Sequence, residues 1–160
     1  MMDYLASYPQ HDGIIDSLKR RNVVSRLGNV VLVTTDVLLP NGSQVTVVIE
    51  GGASGERITV SDAGAALISV AEAGLALDAS ANAAMRRLAA RLGLALEAGN
   101  LRSEPVQPGD AAYAVTLVAN GAREIAKAAF DAGRQKDRRR FRERVEQALC
   151  NIFATSIIQK

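Results

Sequence analysis

From Val30 to Ser61 the chain has the residue choice and period of paired strands, and this stretch limits the possible folds more than any other. Val30–Leu39 is rich in β-branched residues, which fit a pleated, half-buried surface. Pro40-Asn41-Gly42-Ser43 follows, four residues that each favour a turn. Val45, Val47 and Ile49 then alternate with Thr46 and Val48, so one face of a second strand is strongly apolar. Gly51–Gly55 makes a loose turn, and beyond it Ile58 and Val60 alternate with Arg57 and Thr59. Three strands joined by short turns predict an antiparallel meander.

Helical signals surround this meander. Asp12 is placed to cap a short helix holding Ile14, Ile15 and Leu18, with its end between Asn22 and Gly28. Ser61-Asp62-Ala63-Gly64 closes the meander and opens a helix over about 65–73, stopped by Gly74. Asp78 or Ser80 caps another, which carries Met85, Leu88 and Leu92 on one stripe and closes at Gly93. Leu94–Leu96 and Leu101–Ser103, on either side of Glu97-Ala98-Gly99-Asn100, predict a second hairpin. After Pro105 and Pro108, Asp110 begins a long apolar helix to about Phe130. Gly133 is read as a break before a last helix from Asp137 to about Ile158. There Phe141, Val145, Leu149, Ile152 and Ser156 recur at spacings of three and four, which predicts one buried face. The class is α+β: a small antiparallel meander and a second hairpin packed with helices, ending in a helical third. All 160 residues form one domain, with 134–160 as a basic amphipathic helix.

Composition narrows the function classes. Hydrophobic residues make up 48% and charged residues 22%, the balance of a folded chain rather than a disordered one. Aromatics are only 4%, so the core is built from Leu, Val, Ile and Ala, and few rings are present for bases to stack on. Cys150 is the only cysteine, which excludes an intrachain disulfide and a cysteine zinc site; its helix position predicts a small core residue. Met1–Gln10 lacks the pattern of a signal peptide, and no apolar run nears the roughly 18 residues of a membrane span. A cytoplasmic protein with no membrane partner is expected.

The order of motifs resembles a known family. Leu39-Pro40-Asn41-Gly42-Ser43-Gln44-Val45 leads to Ile58-Thr59-Val60-Ser61-Asp62-Ala63-Gly64. After a helix comes Arg91-Leu92-Gly93-Leu94-Ala95-Leu96-Glu97-Ala98-Gly99-Asn100-Leu101. This series is similar to the bacterial and phage family known as domain of unknown function 1828, over residues 12–130. Ser61 stands where that family commonly has Thr, and Ala63 where it often has Asp, which weakens an acidic ligand cluster at this turn. The resemblance implies a small accessory protein of phages and mobile elements. The basic C-terminal helix lies outside it.

Most candidate chemistry has a structural reading beside it. Asp62 and Gly64, after a strand and before a helix, could serve a cation, but a helix cap and a glycine beside the sheet explain the same residues. Asp36 and Glu50 on adjacent strands suggest a metal-dependent nuclease, yet the Glu-x-Lys element is absent because Gly51-Gly52 follows Glu50. The Gly51–Gly55 run lacks the lysine end of a phosphate loop, and His11 has no Ser or Cys partner in a nucleophile elbow. Met85–Gly93 looks like the first half of a helix-turn-helix, but a hairpin follows instead of a recognition helix. No metal, cofactor or catalytic residue is expected.

The basic cluster is different. From Arg134 to Arg144 there are seven cations (Arg134, Lys136, Arg138, Arg139, Arg140, Arg142, Arg144) against two acids, Asp137 and Glu143. The segment therefore carries +5 in a chain of net +2, leaving −3 for the remainder. At the start of a helix such charges would oppose the macrodipole. A local cost without structural gain suggests a partner: a host protein, a second copy paired through the same helix, or nucleic acid through phosphate contacts.

Overall fold

In the computed structural model the alternating stretch builds the sheet that its period demands. The structure describes Leu18, residues 22–27, 30–51 and 57–158, with side chains as far as Cys150. The strands are β1 (Val23–Leu27), β2 (Val30–Leu38), β3 (Gln44–Gly51), β4 (Ile58–Ser61), β5 (Leu94–Glu97) and β6 (Asn100–Ser103). They form one antiparallel sheet in the order β1-β2-β3-β4-β6-β5. Val33 pairs with Val47, Val31 with Ile49, and Ile49 with Val60, so the apolar positions of the meander share one face. The predicted hairpin joins its far end, where Ser61 pairs with Arg102.

Strand β1 is a correction: Val23–Leu27 was expected to lie within the end of the N-terminal helix. It is an edge strand with Ser25 and Arg26 between its apolar residues. Val23 and Leu27 are 73% and 68% exposed, and only Val24 packs against the core. The predicted helix from Asp12 falls almost wholly outside the described residues; Leu18 is helical and buried.

Three helices follow: α1 (Ala65–Glu72), α2 (Ala79–Arg91) and α3 (Ala111–Ile158), the last entered through a short 3₁₀ turn at Pro108–Asp110. The first half of α3 crosses β2, β3, β4 and β6. Its Ala111, Ala114, Val115, Val118, Ala119, Ala122, Ile125, Ala126 and Ala129 are all buried. Spacings of three and four keep these on one stripe, and their small size brings the helix close to the valines beneath. Ala66 and Val70 of α1 and Met85 and Ala89 of α2 complete the core.

The predicted break at Gly133 is also corrected, because α3 runs through both Gly121 and Gly133. Neither glycine is there to end a helix. A Cβ at Gly121 would collide with the Leu94 and Leu101 side chains, and one at Gly133 would sit 2.8 Å from Leu75 Cδ2. Both mark places where another element presses on the helix. They differ in how far the neighbour can yield: Leu94 and Leu101 are buried, whereas Leu75 is only half-buried. Gly121→Ala should lose stability despite a propensity gain of about 1 kcal/mol, since overpacking a closed site costs about 1–3 kcal/mol. Gly133→Ala should be neutral or stabilising. Urea denaturation of the two variants checks this difference in sign.

Candidate functional site

The second half of α3 leaves the body of the protein at Leu75 and at one polar clip. Lys136 Nζ donates to Asp78 Oδ2 at 3.1 Å, while Asp78 Oδ1 accepts from Ala81 N at 2.9 Å and so caps α2. Asp78, not Ser80, is therefore the cap, and it also ties α2 to α3. Its carboxyl is held below its ordinary pKa, first by the Ala81 N–H and then by Lys136. Every residue from Arg134 to Cys150 is exposed.

This overturns the expected buried face. Phe141, Val145 and Leu149 are 67%, 40% and 48% exposed, and Cys150 is exposed rather than a core residue. The side chains of Ile152 and Ser156, counted with that face in the sequence, lie outside the described ones. At about 100° per residue, the Phe141–Val145–Leu149 ridge is turned roughly 150° from the stripe that α3 lays on the sheet. It does not extend the core face; it is a separate face.

The arginines need the same revision. They occupy the interior of a continuous helix, far from its first turn, so the macrodipole cost expected of them does not arise. What remains is their mutual crowding and their arrangement. Arg142 and Arg144 lie on either side of the ridge, and Arg134 and Arg138 stand in line with it at its N-terminal end, by the same helical geometry. Glu146 follows Arg142 by one turn on the same side of the ridge, Asp137 precedes Phe141 by one turn, and Arg139 and Glu143 lie on the back, where Arg139 Nε donates to Glu143 Oε1 at 2.9 Å. That pair is 83% and 58% exposed and contributes at most about 0.5 kcal/mol. Among the described residues, Arg134, Arg138, Arg140, Arg142 and Arg144 form no ion pair.

The remaining sequence candidates are not gathered into a site. Asp62 is 1% exposed. Its Oδ1 accepts from Gly64 N at 2.9 Å and Leu101 N at 2.8 Å, and its Oδ2 from Ala66 N at 3.0 Å. One carboxyl thus shapes the turn, satisfies the start of α1 and fastens β6, 39 residues away. Gly64 adopts φ 81, a left-handed conformation that glycine takes without strain. Glu50 pairs across the sheet with Val30, six positions from Asp36 along β2, so the two acids are about 20 Å apart. Glu50 instead accepts from Arg102 Nη2 at 3.4 Å. Hairpin β5–β6 stands where a recognition helix would follow α2. His11 and residues 52–56 lie outside the described ones. Among the described residues no cluster of three or more His, Cys, Asp or Glu could hold a metal, and no helix is long and apolar enough to cross a membrane.

No family model, curated protein or solved structure matches the chain.

Two outcomes follow from this geometry. Asp62→Ala strands three backbone N–H groups that the carboxyl now satisfies, all three of them on buried residues. It should destabilise the fold by about 3 kcal/mol or more, with Asp62→Asn losing less, as read by chemical denaturation. For Asp78, the lowered folded pKa means that its contribution to stability is complete above the unfolded pKa. That contribution is lost as pH falls through the folded value. NMR titration should place its midpoint below 3.8. In Lys136→Met the midpoint should rise yet stay below the ordinary value, because the Ala81 N–H remains.

Proposed function

We propose that this chain is a non-enzymatic binding protein that acts by protein–protein contact through the second half of α3. Arg134, Arg138, Arg139, Arg140, Arg142 and Arg144 belong to the contact segment. The observation that carries this reading is the exposed ridge of Phe141, Val145 and Leu149 in the same segment as the arginines. Covering each of these side chains is worth up to about 1.5–3 kcal/mol, which a protein surface supplies and a phosphate backbone does not. A helical stretch of this length without tertiary packing is marginal in water, and neighbouring arginines make it more so. A covering surface would relieve both costs. The resemblance to accessory proteins of phages and mobile elements supports a role in regulating or antagonising a host system, and a single cysteine suits a reducing cytoplasm.

The density of arginine favours a second reading, in which the helix neutralises phosphates of nucleic acid. Two variants separate the readings. Phe141→Ser with Leu149→Ser removes the apolar ridge and keeps every charge; Arg138→Ala, Arg139→Ala and Arg140→Ala does the reverse. Protein contact predicts that partner capture from nuclease-treated bacterial extract is lost in the ridge variant and weakened in the arginine variant. Binding of duplex DNA that falls steeply with salt, disappears in the arginine variant and ignores the ridge variant would instead establish the nucleic-acid reading.

A further inference from the structure

We infer that a groove between β2 and the first half of α3 takes a short peptide of two or three residues with free ends, its ammonium at Asp36 and its carboxylate at Arg123. The site lies on the body of the protein and is separate from the contact proposed for the second half of α3.

The groove exists because β2 outruns its neighbour. Strand β1 stops at Val23, opposite Thr34, whereas β2 continues to Leu38. Asn22 closes a helical turn there instead of prolonging β1: its N–H and its Nδ2 both donate to Leu18 O, at 3.2 and 3.3 Å. Among the described residues, positions 35–38 therefore have no strand on that side, and such an edge holds unpaired N–H and C=O groups. Helix α3 does not close the gap. The space between the two elements is about 640 Å³, the size of a small-molecule site, and the buried Val115 and Ala119 line its floor.

The strand is irregular at the same place. From Thr34 to Leu38 β2 advances four residues while β3, from Thr46 to Gln44, advances two, so β2 carries a bulge. Thr35 replaces the missing ladder bonds, with Oγ1 donating to Val45 O at 2.9 Å and accepting from Val37 N at 3.3 Å. Thr35 is buried, so regular alternation would send Asp36 to the far face of the sheet; the bulge brings it to the wall of the groove. There Asp36 is exposed and forms no hydrogen bond or ion pair among the described residues.

The opposite wall comes from α3. Asn120 Nδ2 donates to Thr116 O at 2.9 Å, which leaves Oδ1 to accept. One turn on, Arg123 uses Nε in an exposed 3.4 Å contact with Glu124, worth little, and keeps both Nη groups open. The groove thus sets an unpartnered carboxylate and a guanidinium on different walls, with a strand edge and an apolar floor between them. A peptide with free ends answers all four: ammonium, carboxylate, backbone and side chains. Val115 to Arg123 covers about 12 Å of helix, and two or three extended residues cover about 7–10 Å. A longer chain would overrun the charged walls. The forked guanidinium also suits a terminal carboxylate.

The test titrates the full chain with leucyl-leucine and with its two capped forms, N-acetyl-leucyl-leucine and leucyl-leucine amide. Amide NMR signals of Val37, Ala119 and Asn120 report binding in the groove. The free dipeptide should shift all three saturably and bind at least about tenfold more tightly than either capped form. Asp36→Asn should abolish its advantage over the acetyl form, and Arg123→Gln its advantage over the amide. The capped peptides probe the unaltered protein, so the inference does not hang on the folding of either variant. No saturable shift in the millimolar range, shifts confined to amides elsewhere, or equal affinity for free and capped forms would overturn it. So would tight binding of the free dipeptide that both variants leave unchanged.

Discussion

The structure depends on one packing interaction, the alanine-rich first half of α3 lying on the valine face of the sheet. Val31, Val33, Val45, Val47, Ile49 and Val60 give a flat apolar surface, and Ala114, Ala119, Ala122, Ala126 and Ala129 let a helix approach it closely. Gly121 carries this to its limit where the helix passes Leu94 and Leu101. Once that contact fixes the axis of α3, the remaining elements have little choice. Helices α1 and α2 fill the space beside it, and the rest of α3 continues along the same line past the edge of the body.

One helix therefore presents two faces with opposite demands. The first stripe is small, apolar and covered; the second is larger, bordered by arginine and bare. Leu75 against Gly133 and the Asp78–Lys136 clip mark the passage between them, and both are slight compared with the core. The second half is consequently held to the body mainly by the stiffness of its own helix. This separation frees the ridge from any part in folding. Substitutions there should alter binding while leaving the core intact, a division of labour that suits a contact element.

Much of the fold was legible because its signals are local. The Pro40–Ser43 turn, the alternation of β3 and β4, the hairpin across Ala98 and Gly99, and the caps at Asp62 and Asp78 all act within a few residues. What escaped required knowledge of distant neighbours. Gly133 reads as a helix stop, since glycine lowers helix propensity; its reason for being there is Leu75, which only the folded chain brings close. Strand β1 has too short and too polar a pattern to show its period, and it exists because β2 offers an edge. The bond from Leu101 N to Asp62 spans 39 residues and has no sequence signature. The Phe141–Val145–Leu149 ridge was visible as a ridge, but periodicity groups residues on a face without saying what covers it. Treating α3 as continuous would have revealed the offset between its two stripes.

The continuity of α3 and its departure from the body are open to a direct distance measurement. Spin labels on the native, exposed Cys150 and on a cysteine replacing exposed Thr116 span both halves of the helix. An unbroken helix separates these positions by about 50 Å, so pulsed electron–electron resonance should give a single narrow distribution centred near that value. A broad distribution, or a main population at about 35 Å or less, would mean that the chain breaks near Gly133 and folds its second half back. The ridge would then have a partner within its own subunit.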